Sequence, residues 1–339
     1  MTSRQRVQAA LDFQEPDRTP RDLWSLPGVG MFRRDELDAM IKRFPTDFVS
    51  PVFRAGKGHA TEGVRGRKGR YVDEWRCVWF AAEEGVAGEV KEFPLADWSA
   101  LKSYKIPWEL IREADFTEVD RSCAKSDMFM KVGTNTRPFE RMQFLRGTES
   151  LFMDLAYGVK EVYTLRDMLH EFFVEELRLW AKTDVDGIGF MDDWGTQHAL
   201  LISPKTWREF YKPLYKDYCD IIRGAGKKVF FHTDGHVEAI YPDLIEIGVD
   251  AINSQLFCMD IEALAERHKG QITFWGEIDR QEVLPFGSAD DVREAVRRVR
   301  RAMDDSSGGL IAQCEWGMND PAENIAAVYE TWDEPRPES

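Results

Sequence analysis

Phe230-Phe231-His232-Thr233-Asp234-Gly235-His236 is an apolar run that ends abruptly in two imidazoles, a carboxylate and a glycine. A buried strand has this form when it delivers acid/base or metal-binding groups into a cleft at its carboxyl end. The pattern recurs. Gly189-Phe190-Met191 runs into Asp192-Asp193-Trp194-Gly195, Phe274-Trp275-Gly276 into Glu277-Ile278-Asp279, and Leu310-Ile311-Ala312-Gln313 into Cys314-Glu315-Trp316. Four strands that each finish in polar chemistry argue for one shared active site, and so for an enzyme.

Working outward, apolar segments with strand character fall at residues 21–25, 47–53, 128–132, 187–191, 228–231, 250–254, 272–275 and 309–313. Amphipathic helical segments separate most of them. One is opened by the Ser203-Pro204 cap, where proline at the first helical position costs no hydrogen bond, and closed by Gly224-Ala225-Gly226. Strands apolar on both faces and separated by helices make a parallel sheet. About eight of them, with polar groups at the carboxyl ends, predict an α/β fold of the (β/α)8 TIM-barrel type. No GxGxxG follows an early strand, which disfavours the doubly wound alternative. Ahead of the regular alternation stand an amphipathic helix over 2–13, stopped by Pro16, and a glycine-rich stretch over 54–98. That stretch reads as a loop and β-hairpin excursion laid over the body. The expected organisation is a single domain over 1–339, with a polar, frayed tail at 333–339.

The chain has 339 residues, 43% of them hydrophobic, and a net charge of −15 without a long basic block. Nucleic acid and anionic membranes are therefore excluded as partners of the bulk surface. No apolar stretch approaches the roughly 18 residues that a membrane span needs. The five cysteines form no CxxC pair and are read as reduced thiols of a cytoplasmic protein.

Alternate residues of a strand share a face, so His232 and Asp234 can enter one cavity as ligands or as an acid/base pair. The local alternative is that His232 only packs while Asp234 caps the next helix. His236, at a helix start, reads as a cap. Cys314 leaves its strand among carboxylates, where it is either inert core or a thiolate ligand for zinc. With His232 and Asp234 it would make a three-ligand set with one open position, and Glu277 is a fourth ligand or a general base. Asp192 and Asp193 are adjacent and face opposite ways, so one binds substrate or orients a ligand while the other holds the Gly195 turn. Trp194, Trp275 and Trp316 are candidate walls for an apolar or aromatic substrate, with simple packing as the alternative. Lys131 and Arg137 are cations that could meet an anionic group. No nucleophile elbow or P-loop is present.

Taken together, these residues resemble the uroporphyrinogen decarboxylase superfamily. The resemblance runs from Arg4-Gln5-Arg6-Val7 and Phe13-Gln14-Glu15-Pro16-Asp17-Arg18-Thr19-Pro20 through Leu145-Arg146-Gly147. It is strongest in Asp192-Asp193-Trp194-Gly195-Thr196-Gln197, Phe231-His232-Thr233-Asp234-Gly235, Ile247-Gly248-Val249-Asp250, Trp275-Gly276-Glu277-Ile278-Asp279 and Pro321-Ala322-Glu323-Asn324-Ile325. It implies a TIM-type barrel. True uroporphyrinogen decarboxylases carry an arginine cluster after the first strand, and residues 21–30 here lack it. The resemblance is closer to the corrinoid-dependent methyltransferase and O-demethylase branch, several members of which hold zinc by a His-x-Cys pair and a distant cysteine. His232 matches that histidine, Cys314 the distant cysteine, and Asp234 replaces the paired cysteine. Gln255 stands where zinc-dependent methionine synthase, a more distant relative, has a glutamate. The resemblance thus implies methyl transfer from a small methylated donor, such as a methoxylated aromatic, to a corrinoid protein. Zinc, or general acid chemistry without metal, would activate the donor. His232, Asp234 and Glu277 are the catalytic residues on this reading, with Asp192, Asp193, Trp194, Asn253, Gln255, Trp275 and Trp316 around the substrate and His232, Asp234, Cys314 and Glu277 as the metal set. The alternative is a carboxy-lyase acting on a different carboxylic acid. A homodimer is compatible with either.

Overall fold

The computed structural model describes residues 1–335, so residues 336–339 of the expected tail lie outside it. Eleven strands follow the chain: β1 (Arg21–Ser25), β2 (Phe48–Val49), β3 (Gly69–Val72), β4 (Val78–Ala81), β5 (Glu89–Glu92), β6 (Phe129–Gly133), β7 (Gly187–Met191), β8 (Lys228–Thr233), β9 (Ala251–Ser254), β10 (Thr273–Trp275) and β11 (Leu310–Trp316). Eight of them form one sheet in the order β1-β11-β10-β9-β8-β7-β6-β2. Every pairing within it is parallel. The Asp47 amide donates to the Arg21 carbonyl at 2.9 Å, which draws the two ends together into a nearly closed barrel.

Each barrel strand is apolar on both faces because each face is buried against something different. Phe48, Phe129, Phe230, Ala251, Trp275 and Ile311 fill the lumen. Their neighbours in sequence, such as Phe231, Ile252, Phe274 and Ala312, pack outward against the helices. The opening helix, Ser3–Leu11, starts on a Thr2–Gln5 capping box and sends Val7 and Leu11 into the lumen cluster. Its Ala10 carbonyl accepts from the Gly309 amide at 2.8 Å, and its Arg4 amide donates to Asp127 at 2.8 Å, both just ahead of strand starts. The helix therefore plugs the amino-terminal end, and the carboxyl end is left for the site.

Asp47 secures this plug. Its carboxylate is fully buried and accepts from Ser3 Oγ at 2.7 Å, Arg6 Nη1 at 2.7 Å, Arg18 Nη1 at 2.8 Å and the Arg21 amide at 2.8 Å. That network explains the paired arginines of the opening segment.

Strands β3, β4 and β5 form a separate antiparallel sheet. The excursion is thus one strand larger than the expected hairpin. The alternating aromatics marked β3 and β4, whereas Glu89–Glu92 has three exposed positions out of four and no apolar alternation to announce it. Strand β2 is shorter than expected, because Ser50 to Phe53 leave the ladder. The described start of the tail is tied down rather than frayed, by ion pairs from Arg21 to Asp333 and from Arg297 to Glu334. No helix among the described residues is long and apolar enough to cross a membrane.

Replacing Asp47 with alanine removes the shared acceptor of Ser3, Arg6, Arg18 and the Arg21 amide, while Arg6 keeps Asp17, so Asp47→Ala is expected to cost roughly 2–3 kcal/mol. Urea denaturation of the whole chain measures this. A loss below about 1 kcal/mol would show that the hub does not hold the plug.

Candidate active site at the barrel mouth

Alternation along β8 turns Phe230 and His232 inward and Phe231 outward, while Thr233 Oγ1 accepts from the Trp194 amide on the helix side. His232 is paired across the ladder with Met191 on one side and Asn253 on the other. Asn253 is fully buried. Its Nδ2 donates to the Trp275 carbonyl at 2.5 Å, which leaves Oδ1 facing His232 Nδ1 at 2.5 Å. Oδ1 can only accept, so Nδ1 carries a proton and Nε2 is the nitrogen turned toward the cluster. Nε2 lies 3.6 Å from Asp193 Oδ1 and 3.6 Å from Asp234 Oδ1.

Two glycines bring those carboxylates together. Gly195 donates its amide to the Asp234 carbonyl at 2.9 Å. Gly235 has φ +80°, and a Cβ there would stand 2.3 Å from the Gly195 carbonyl carbon, so the two strand-end loops cross only because neither carries a side chain. The crossing sets the Asp234 amide 3.1 Å from Asp193 Oδ1. Asp193, His232 and Asp234 thus offer one nitrogen and two oxygens within 4.8 Å of one another. Asp234 Oδ2 is taken by Arg280, whereas Oδ1 is buried with no hydrogen-bond partner among the described residues. One free imidazole nitrogen with two carboxylates fits a divalent cation, zinc included, and leaves coordination positions open.

Beside this cluster lies a cleft of about 220 Å³ lined by Gln197, Gln255, Cys258, Glu277 and Arg280. Arg280 gathers its acids: it pairs with Asp234, with Glu315 at 2.5 Å and with Glu277 at 3.8 Å. Glu277 is 2% exposed, and its Oε1 has no hydrogen-bond partner among the described residues. Burial, aided by the charges of Asp234, Glu315 and Asp193 and opposed by Arg280, pushes the Glu277 carboxyl up to about 8. Burial likewise raises Asp193, with His232 acting against it. Gln255 accepts from the Gly235 amide at 2.9 Å and so steadies the loop that carries Asp234.

The floor is built below His232. Trp24 lies 5.4 Å from the imidazole and meets Trp275 edge-on, and the Lys131 ammonium rests 4.2 Å from the Trp275 ring centre. Both indole nitrogens donate to Asp22 at 3.0 Å. Trp275 is therefore part of the lumen beneath the cluster, not a side wall of the cleft.

Several sequence expectations are corrected. Cys314 is fully buried in the helix-facing core, because Gln313 and Glu315 take the inward positions of β11; it does not join the cluster around His232. Burial raises its thiol well above the ordinary range, as an inert core cysteine requires. Trp316 lies on the same outer face, with its indole nitrogen bonded to the Asp320 carbonyl at 3.0 Å. Trp194 stacks on Phe139 at 4.0 Å and donates to Tyr215, also outside the lumen. Asp192 turns away from Asp193 and accepts from the Phe139 and Glu140 amides, both at 2.7 Å, and from the Tyr215 hydroxyl at 2.6 Å. It caps the helix Pro138–Arg146 instead of touching substrate. Glu277 borders the metal-binding set without belonging to it. His236 stays outside the set, its amide bonded to the Thr196 carbonyl at 2.7 Å. Arg280, Trp24 and Asp22 were not foreseen. Only the proximity of Arg280 to Glu277 in sequence could have flagged it.

A model of the uroporphyrinogen decarboxylase (URO-D) family matches residues 124–335. Among curated proteins none matches the chain. Among solved structures, a methyltransferase from Methanosarcina mazei superposes with a TM-score of 0.72 at 14% identity, over 98% of each chain. An endo-β-1,4-xylanase of glycoside hydrolase family 10 from Gloeophyllum trabeum follows at a TM-score of 0.44 and 10% identity, over 95% of this chain and 98% of that one.

Elemental analysis and zinc titration test the cluster. His232→Ala is expected to abolish stoichiometric zinc binding, and Asn253→Ala to weaken it by roughly 10–100-fold through the lost orientation of the ring. Cys314→Ala is expected to leave zinc binding unchanged. Loss of zinc from the Cys314 variant would return the thiol to the ligand set.

The Glu277 carboxyl also sets a pH dependence. Its folded value of about 8 exceeds the ordinary 4.5, so the native state holds a proton that the unfolded chain releases between these values. Stability from this residue is fully present below about 4.5 and falls as pH rises toward 8. Glu277→Gln should remove that loss, raising Tm relative to the parent protein more at pH 9 than at pH 5. An equal shift at both values would contradict it.

Proposed function

The chain belongs to the uroporphyrinogen decarboxylase (URO-D) family, and from that premise we propose that it is a methyltransferase that moves a methyl group from a small methylated donor, such as a methoxylated aromatic, to a corrinoid carried by a partner protein. The observation that carries this reading is His232, with Nδ1 held by Asn253 and a free Nε2 between Asp193 and Asp234.

Demethylating an ether requires the leaving oxygen to be activated, since an alkoxide or phenoxide leaves poorly without a proton or a Lewis acid. Asp193, His232 and Asp234 would hold the divalent ion, which when bound supplies that Lewis acidity. Asn253 keeps the imidazole in the ligating tautomer, and Arg280 holds Asp234 in place. Glu277 is protonated at neutral pH and has an uncommitted oxygen at the cleft, so it can donate. The carbon–oxygen bond would break with its electron pair on oxygen, Glu277 would supply the proton that this oxygen takes, and the partner's reduced corrinoid, as the nucleophile bringing its own electron pair, would accept the methyl group. Lumen aromatics below the cluster keep bulk water from the floor.

The acid excess at the mouth favours this reading over a decarboxylase acting on a polycarboxylate. Asp234, Glu277 and Glu315 gather on Arg280 while Asp193 faces His232, an unfavourable setting for a substrate with many negative charges.

Incubating the protein with a reduced corrinoid protein and a panel of methoxylated aromatics should give methyl-cobalamin absorbance. Glu277→Gln is expected to lower the rate by roughly 100-fold or more, and to abolish the decline in rate of the parent enzyme above pH 8. Carbon dioxide release from an acid substrate without corrinoid would overturn the proposal.

A further inference from the structure

The antiparallel sheet β3–β5 is separate from the barrel ladder. Between it and the segment after β6 is a second cleft, of about 160 Å³, lined by Arg65, Arg137, Arg141, Asp73, Glu74 and the aromatic faces of Tyr71, Trp75 and Trp79. Arg141 is the unusual group. It is 8% exposed, and both its Nε and Nη1 are buried with no hydrogen-bond partner among the described residues. Its guanidinium lies 4.4 Å from the centre of the Trp75 ring and lines the cleft.

Asp73 cannot complete it. The carboxylate approaches Arg141 Nη1 only to 3.5 Å, because its oxygens already accept from the Trp75 amide at 2.9 Å, the Cys77 amide at 2.8 Å and Trp79 Nε1 at 2.8 Å. A buried guanidinium with open donors is costly unless an acceptor meets them, and the matching acceptor is a pair of oxygens on one anion. Three guanidinium groups line the cleft against two carboxylates, and Glu140, 3.8 Å from Arg137, is pushed up to about 8 by burial, so the cleft keeps one positive charge at neutral pH, which suits a singly charged carboxylate better than a doubly charged phosphate. Aromatic walls suit a flat apolar body attached to it.

We propose that this cleft binds the carboxylate of a small aromatic acid, with Arg141 as its main anchor and Arg65 and Arg137 around it. Arg137 places the cleft beside the candidate active site: its Nη2 contacts Met191 Sδ at 2.9 Å, two residues ahead of Asp193. One molecule could therefore rest its carboxylate on Arg141 while its other end approaches the cluster. The binding claim itself stands apart from methyl transfer.

Benzoate is the probe, with benzamide as its neutral counterpart and inorganic phosphate as the competing anion, all titrated against the whole chain without corrinoid or methyl donor. Benzoate is expected to bind saturably, quench tryptophan fluorescence and bind at least tenfold more tightly than either control. Arg141→Met should abolish this preference. Arg65→Ala, an exposed position without hydrogen-bond partners among the described residues, should weaken benzoate several-fold with Tm unchanged, and decides the matter if the Arg141 variant does not fold. Equal binding of benzoate and benzamide, preference for phosphate, or benzoate affinity untouched by Arg65→Ala would each overturn the proposal. Since no methyl transfer is measured, a negative corrinoid assay leaves these outcomes separate.

Discussion

Side chains on a strand alternate sides, and a parallel ladder locks the alternation of one strand to that of the next. Here the register places Met191, His232 and Asn253 level with one another across β7, β8 and β9. Once Phe230 is committed to the lumen, His232 must follow it two residues later, and Asn253 must meet the imidazole from the adjoining strand. The hydrogen bond between them is a consequence of register. A one-residue slip would send His232 into the helix layer and bring Thr233 to the mouth. The same constraint sorts the adjacent aspartates, sending Asp192 to a helix start and Asp193 to the imidazole.

Charge then completes what register begins. Four carboxyl groups crowd the mouth, and crowding in a poorly solvated place raises the cost of ionising them all. The molecule offsets this in three ways. Arg280 neutralises Asp234 and Glu315 directly. Glu277 retains its proton at neutral pH. Asp193 and Asp234 turn oxygens toward the Nε2 of His232, an arrangement that a cation stabilises strongly.

The barrel was legible in the sequence because its signal is redundant. Eight strands and most of the segments between them repeat one apolar–polar rhythm, so errors of a few residues at β2 or in the length of β11 leave the architecture intact. His232 and Asp234 were legible for the same reason, being two apart at a strand end. Cys314, Trp194 and Trp316 were misplaced because a polar strand end shows that chemistry is near, whereas the side of the strand depends on phase. That phase could have been carried along from Ile311: counting by two reaches Gln313 and Glu315, not Cys314. Arg280 was missed for a different reason. It lies in an irregular loop whose path is fixed by tertiary contacts, and Gly276 lets that loop pass the Gln313 side chain, where a Cβ would stand 2.2 Å from Oε1.

The excursion over residues 54–98 shows how a barrel's function can be altered without touching its ladder. Its strand β4 brings Trp79 to Asp73, and Asp73 is thereby committed to its own sheet. That commitment is what leaves Arg141, on a barrel helix, short of partners. The unmet donors belong to neither unit alone: the helix supplies the cation, and the added sheet supplies the walls and withholds the counter-ion. In a TIM-type scaffold the lumen groups determine which bond is activated, while loops and insertions around the rim choose what is brought to them. A rim arginine beside an acid-rich mouth divides those tasks by charge, since an anionic end is attracted to the rim and repelled from the carboxylates. On the proposed reading, a donor oriented in that way would present its neutral end to His232.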